Sequence, residues 1–156
     1  MDDRLRTRIM WWLNAKFAVG VTGLVEDEDE RALVVRHAFR QRHPWALPGG
    51  WIRRAEHPTE ALARELREET GLEIEVAELL AASTFDLPRL DVVYRCRVLG
   101  GAIRGSAETP EWRWCTADAL PSDVDPYTRQ IMRRFCRNLA VGSATPGGSE
   151  DAGSAA

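Results

Sequence analysis

The sequence predicts an α/β domain with a mixed β-sheet and helices packed on its faces. Three observations carry this. Strand-like and helix-like segments are interleaved along the chain. Several strand pairs are joined by loops too short for a helical crossover, so those pairs must run antiparallel. The chain has 156 residues, 44% apolar and 29% charged, which is enough for one soluble domain with its own core.

The elements follow in order. Leu5, Ile9, Trp12 and Leu13 fall at i, i+4, i+7 and i+8, a helical stripe. Arg4, Arg6 and Arg8 precede an apolar run over 9–25, a pattern that imitates a signal peptide or anchor. Asn14 and Lys16 interrupt that run, and a central Lys costs about 2.5–3.5 kcal/mol on insertion into a bilayer. A helix over 1–15 followed by a strand over 17–25 explains the segment better than one spanning helix, and no stable membrane insertion is expected. The helix is expected to pack on its own domain. Its Trp11 and Trp12, with arginines nearby, leave open a homodimer face or a membrane-surface contact.

Residues 31–39 read as a second strand, reached through a charged hairpin loop at 26–30. Residues 40–48 read as a loop holding two prolines and Trp45. Pro58 to Thr70 is a helix, with Pro in its first turn and Gly71 just past its end. Strands are expected over 73–85 and 90–99 around a turn at 86–89, and a short one over 111–115. A last helix spans 126–140, where Ile131, Phe135 and Leu139 keep a four-residue spacing. Residues 141–156 are Gly-, Ser- and Ala-rich without apolar periodicity and read as a disordered tail.

Charge and cysteine content narrow the function classes. A net charge of −3 argues against a nucleic-acid partner. Polyanionic substrates must then meet local arginines or a bound cation. Cys96, Cys115 and Cys136 are odd in number and form no CxxC pair, which argues against a disulfide framework or a zinc site and for a reducing cytoplasm. His37, His43 and His57 have no metal-ligand spacing and read as loop or surface residues.

The helix at 58–70 holds the chemical signal. At about 100° per residue, Glu65, Glu68 and Glu69 share an arc of roughly 100° that borders the apolar Leu62–Leu66 side. Crowded carboxylates next to a protein body repel one another, at about 1–4 kcal/mol per close pair. A hard divalent cation relieves that repulsion. Taken alone, the run also fits an exposed acidic turn balanced by arginines.

The surrounding spacing decides between them. Gly50, Glu56, Arg64, Glu65, Leu66, Glu68, Glu69, Gly71 and Leu72 fill Gly-x₅-Glu-x₇-Arg-Glu-U-x-Glu-Glu-x-Gly-U, where U is bulky and apolar. The chain thereby resembles the Nudix hydrolases. The likeness extends from about residue 16 to 140, through Trp45-Ala-Leu-Pro-Gly-Gly before the box and Glu111-Trp-Arg-Trp after it. It implies a Nudix-type α/β/α sandwich and Mg²⁺- or Mn²⁺-dependent hydrolysis of a diphosphate linkage in a small nucleotide, a nucleoside diphosphate derivative or triphosphate. It further implies that Glu65 and Glu69 are the main metal ligands, and that Glu68 is a ligand or the general base. The Gly49 carbonyl joins the ligand set. Glu56 holds a second metal or anchors the loop, and Arg64 orients a carboxylate. Glu111 and Glu108 are candidates for a later-loop base, with Glu111 slightly preferred.

Two positions depart from the family pattern. Ala55 stands where another Gly is common, and His57 where Ser or Thr often caps the helix. Arg40, Arg42, Arg53 and Arg54 lie near the box as candidate phosphate contacts. Trp45, Trp51 and Phe85 are candidate stacking surfaces for a base, with the core as the alternative. Pro88 sits where ADP-ribose-cleaving relatives often carry Pro. A catalytically silent Nudix-fold binding or sensor module is the rival reading; such modules usually lose box acids, and all are present here.

Overall fold

Central strands that are buried on both faces organise the molecule. The computed structural model describes residues 2–13, 16–84 and 88–136. Within them lie helix α1 (Asp3–Leu13), strands β1 (Ala18–Glu26), β2 (Ala32–Arg36), β3 (Trp45–Ala46) and β4 (Gly49–Trp51), and helix α2 (Pro58–Thr70). Strands β5 (Leu72–Thr84), β6 (Arg89–Gly101) and β7 (Glu111–Cys115) and helix α3 (Pro126–Phe135) complete the order. The strands form one sheet of order β3-β2-β1-β6-β5, with β4 added to β1 and β7 to β2. β1 and β6 run parallel from Ala18↔Arg89 to Glu26↔Arg97, and the other named strand pairs are antiparallel. The mixed α/β sheet expected from the short connections is the one observed.

Strand alternation sorts the core into two layers. Val21, Val25, Leu33 and Val35 face α2 and pack with Ala61, Leu62 and Leu66. Leu24, Ala32, Val34 and Val93 face α3 and pack with Ile131 and Met132. Strands covered on both sides lose the apolar–polar alternation, which is why β1 and β2 read as nearly continuous apolar runs. Leu62 and Leu66 are fully buried, so cutting either to Ala costs about 2–5 kcal/mol.

The caps fix where α2 starts and stops. His57 does cap the helix: its Nδ1 accepts the Thr59 N–H at 3.4 Å, while the His57 N–H donates to the Glu60 carboxylate at 3.4 Å. At the other end Gly71 takes a left-handed conformation (φ +74°) and its N–H reaches the Arg67 carbonyl at 3.0 Å. α3 starts on Asp125, whose carboxylate accepts the Thr128 N–H at 3.0 Å. The Asp125 N–H donates to the Trp45 carbonyl, and the Leu47 N–H to Thr128 Oγ1, so α3 is tied to the run before the box.

Several expectations change. The second strand stops at Arg36 rather than Phe39, because the chain turns there to bond Pro44 and Glu108 carbonyls through the His37 and Ala38 N–H groups. The segment 40–48 is not all loop: it holds β3, which flanking Pro44 and Pro48 hide from propensity and which its pairing with β2 defines; β4 follows it, paired with β1. β6 begins at Arg89, inside the turn expected over 86–89. Helix α1 buries none of its residues: Trp12 is 73% and Leu13 76% exposed, against the expectation that it packs on its domain. Lys16 Nζ lies 3.8 Å and 4.8 Å from the Trp11 and Trp12 ring centres. Among the described residues no helix is long and apolar enough to cross a membrane. The expected tail over 141–156 and the last residues of the 126–140 helix fall outside the described residues.

Candidate active site

A cavity of about 380 Å³ opens between the C-terminal half of α2, β4 and the N-terminal end of α3. One wall is acidic. Glu65, Glu68 and Glu69 reach it from α2, and Glu108 reaches it from the loop before β7. Gly49 and Gly50 form its floor, with Arg40 and Arg53 at its rim. β4 lays the Gly pair against β1, and α2 packs on the same two strands, so both reach the cavity.

Glu69 is the most confined acid, at 7% exposure. Its Oε2 accepts the Gly49 N–H at 3.0 Å. Burial pushes its pKa up to about 7, the Gly49 bond and Arg40 pull the other way, and the nearby Glu65 and Glu108 charges add to the rise. His37 Nδ1 lies 3.9 Å from Glu69 Oε1, yet burial drives the imidazole down to about 4, with Arg40 adding to that fall. Both groups are therefore held neutral near their own protein-free charging range, and the contact is not an ion pair.

Arg64 organises the other acids. Its Nε and Nη2 clasp both oxygens of Glu56 at 2.7 and 3.0 Å, its Nη1 holds Glu65 at 2.7 Å, and its Nη2 also reaches the Trp51 carbonyl at 3.2 Å. The guanidinium, helped by the Arg53 N–H, holds Glu56 down at about 2. Both Glu56 oxygens are therefore bonded, to Arg64 of α2 and to the Arg53 N–H of the loop, and Glu56 does not line the cavity. Glu68 is exposed, 3.4 Å from Arg64 Nη1 and 3.7 Å from Arg53 Nη2.

The glycines leave room for this arrangement. A Cβ on Gly50 would sit 2.4 Å from the Glu65 carboxyl carbon, and one on Gly49 would strike the Val21 carbonyl at 2.1 Å. Ala55, where the family often has Gly, adopts a left-handed φ of +61°, which explains that preference physically.

Other sequence candidates are placed elsewhere. Glu111 points out and pairs with Arg36 at 3.2 Å, so Glu108 is the late-loop acid at the cavity. Trp45 is 4% exposed and packs in the core under α3, with Arg113 4.5 Å from its ring centre. Its neighbours Ala46 and Leu47 line the cavity instead. Arg42 is exposed and away from the cavity lining. Phe85 lies outside the described residues. Trp51 is half-exposed at the cavity wall. His37, read from the sequence as a loop or surface residue, also lines the cavity, as do Arg89, Asp125 and Tyr127. No local pattern marks the last three, which come from β6 and from the start of α3.

A divalent cation fits the donors here by their chemistry. They are carboxylate and carbonyl oxygens, and Glu69 is buried beside other acids with no cation bonded to it. They are not preassembled: among the described residues no three His, Cys, Asp or Glu side chains form a ready cluster. Glu65 is turned to Arg64 through Oε1 and Glu69 to the Gly49 N–H through Oε2.

The NUDIX domain family model matches residues 16–135. A MutT-like protein of Streptomyces ambofaciens is 39% identical over 106 residues, 66% of this chain and 66% of that protein. An ADP-ribose pyrophosphatase of Methanocaldococcus jannaschii is 32% identical over 124 residues, 74% of this chain and 73% of that one. A MutT NUDIX hydrolase from Burkholderia pseudomallei superposes with a TM-score of 0.69 at 25% identity, covering 77% of this chain and 98% of the other.

Proposed function

Because the chain belongs to the Nudix hydrolase family, we propose that it hydrolyses a diphosphate linkage in a nucleoside diphosphate derivative, ADP-ribose among them, or in a nucleoside triphosphate. The observation that carries this reading is Glu69: a buried carboxyl at a cavity wall, crowded by Glu65 and Glu108, within a complete box. Nudix hydrolases generally use divalent metal ions; here Mg²⁺ or Mn²⁺, held by Glu65, Glu68, Glu69 and the Gly49 carbonyl, would neutralise phosphate oxygens and acidify a water.

The protein's own groups do the rest. Arg40 and Arg53, at the rim of the acidic wall, bind the phosphate oxygens. Arg64 fixes the Glu65 carboxylate, and Glu56 in turn fixes Arg64, so the helix and the box loop move as one piece. Glu68 is exposed towards the cavity and takes the proton of the attacking water, with Glu108 facing it from the opposite loop. Gly50 lets the chain come close to the Glu65 carboxylate, which keeps that side chain against the box loop. The buried free thiols of Cys96, Cys115 and Cys136 support a cytoplasmic setting.

The experiment is a panel of ADP-ribose, other nucleoside diphosphate derivatives and nucleoside triphosphates with Mg²⁺ or Mn²⁺, scored for phosphate and nucleotide release. At least one class turns over, and a chelator stops it. Failure on every member, with tight metal-free nucleotide binding, would reassign the chain as a binding module.

A further inference from the structure

Three strands place a second charged group in the cavity lining, apart from the box acids in sequence. Gly20 of β1 is in register with Trp51 of β4 on one side and Asp91 of β6 on the other. Residues in register share a face of the sheet, and Arg89, two positions before Asp91, shares it too. Arg89 leans across β1. Its Nη2 donates to Asp91 Oδ1 at 2.6 Å, and its Cζ lies 4.7 Å from the Trp51 ring centre. Arg89 and Trp51 both line the cavity, and so does Tyr127 of α3.

Gly20 makes this possible. A Cβ there would sit 2.5 Å from Asp91 Oδ1 and 3.3 Å from Arg89 Nη2. Its backbone is not in the left-handed region, so conformation does not ask for glycine; the space under the guanidinium does. Asp91 is only 2% exposed, so its charge is committed to Arg89. The guanidinium is thus pinned by a carboxylate, a ring and a bare backbone, and its Nε has no hydrogen-bond partner among the described residues.

That pinning sets what Arg89 can recognise. Asp91 neutralises it, so it is a poor counter-charge for phosphate, whereas Arg40 and Arg53 stand beside the acidic wall. A rigid, neutralised donor plane stacked on an indole suits a flat, uncharged group with acceptor atoms on its edge. We propose that Arg89, held over Gly20 by Asp91 and Trp51, is the specificity-determining residue that reads the nucleobase of the substrate. The inference rests on the diphosphate-hydrolase reading for where the phosphates lie.

The test reads binding without metal, so it is independent of turnover. Calorimetry on the full chain compares the four nucleoside 5′-monophosphates with ribose 5-phosphate, which has the sugar and phosphate but no base. The wild type binds at least one nucleotide tenfold or more tighter than ribose 5-phosphate. R89Q and R89K each bring that ratio to within about threefold of one and leave ribose 5-phosphate affinity unchanged; K keeps the ion pair to Asp91 but not the plane. W51L, at an exposed site, does the same without touching the buried carboxylate. G20A follows R89Q. A wild type that does not discriminate overturns the proposal. So do variants that weaken nucleotide and ribose 5-phosphate equally, which would make Arg89 a phosphate ligand. Absence of turnover in the substrate panel, with this ratio intact, would sink the hydrolase reading and leave the base subsite standing.

Discussion

Replacing Glu69 by Gln separates the stability of the site from its chemistry. Glu69 has its folded pKa raised from 4.5 to about 7, chiefly by burial. The folded state therefore holds this proton more tightly than the unfolded chain. Stability contributed by the protonated form is complete below about pH 4.5, declines as pH rises, and is gone above about pH 7. At 1.36 kcal/mol per pKa unit the full penalty is about 3 kcal/mol at pH 8. Gln is neutral at every pH and keeps an oxygen for the Gly49 N–H, and the loss of charge assistance in that bond is already contained in the net shift. The metal-free variant should then be more stable than wild type at pH 8 by about 3 kcal/mol, or roughly 6–12 °C in Tm for a domain of this size. At pH 5 the gap should shrink to under about 1 kcal/mol, since wild-type Glu69 is protonated there. Paired thermal melts at the two pH values, in chelator, read the difference. A variant less stable than wild type at pH 8, or a gap that does not change with pH, would refute the claim that burial holds an ionisable acid at this wall.

Three further predictions come from the same geometry. Glu108→Gln should lower kcat by about tenfold or more, while Glu111→Gln, paired with Arg36 on the surface, stays within about twofold; initial rates on the best substrate compare them. Ala55→Gly should raise stability by about 0.5–1 kcal/mol in urea unfolding, because Ala55 bears a left-handed φ that glycine adopts freely; a destabilised variant would contradict the strain. Deleting residues 1–13 should leave the Tm within about 2 °C, since α1 buries none of its side chains. A larger fall would mean that the helix is covered in solution, and sedimentation would then show whether a second copy covers it.

The acidic wall of the candidate site was legible in the sequence because most of it is local. Gly50 to Leu72 is a continuous stretch in which loop, helix and cap are each dictated by nearby residues, and all box acids lie within it. Arg64 was legible as a clamp for the same reason. What lay beyond was set by strand register. Trp45 and Trp51 look alike as candidate stackers, yet pairing of Trp45 with Arg36 sends it under α3, while pairing of Trp51 with Gly20 leaves it at the cavity. Glu108 and Glu111 differ only in which side of a loop–strand junction they occupy, and the start of β7 turns Glu111 towards Arg36. His37, Arg89 and Asp125 reach the site from 28, 20 and 56 residues outside Glu65 and Glu69, counted as 65 − 37, 89 − 69 and 125 − 69, distances over which no periodicity carries information. The exposure of α1 was also invisible, since its apolar stripe has the form of a helix that packs.

The box carboxylates on α2 are proposed to drive metal-dependent cleavage of a diphosphate. Turnover of the best substrate in Mg²⁺ or Mn²⁺, measured side by side for wild type and Glu69→Gln after thermal melts establish that both are folded, is the decisive measurement. A loss of at least about 10²-fold in kcat/KM is expected. A folded Glu69→Gln enzyme working near the wild-type rate would contradict it.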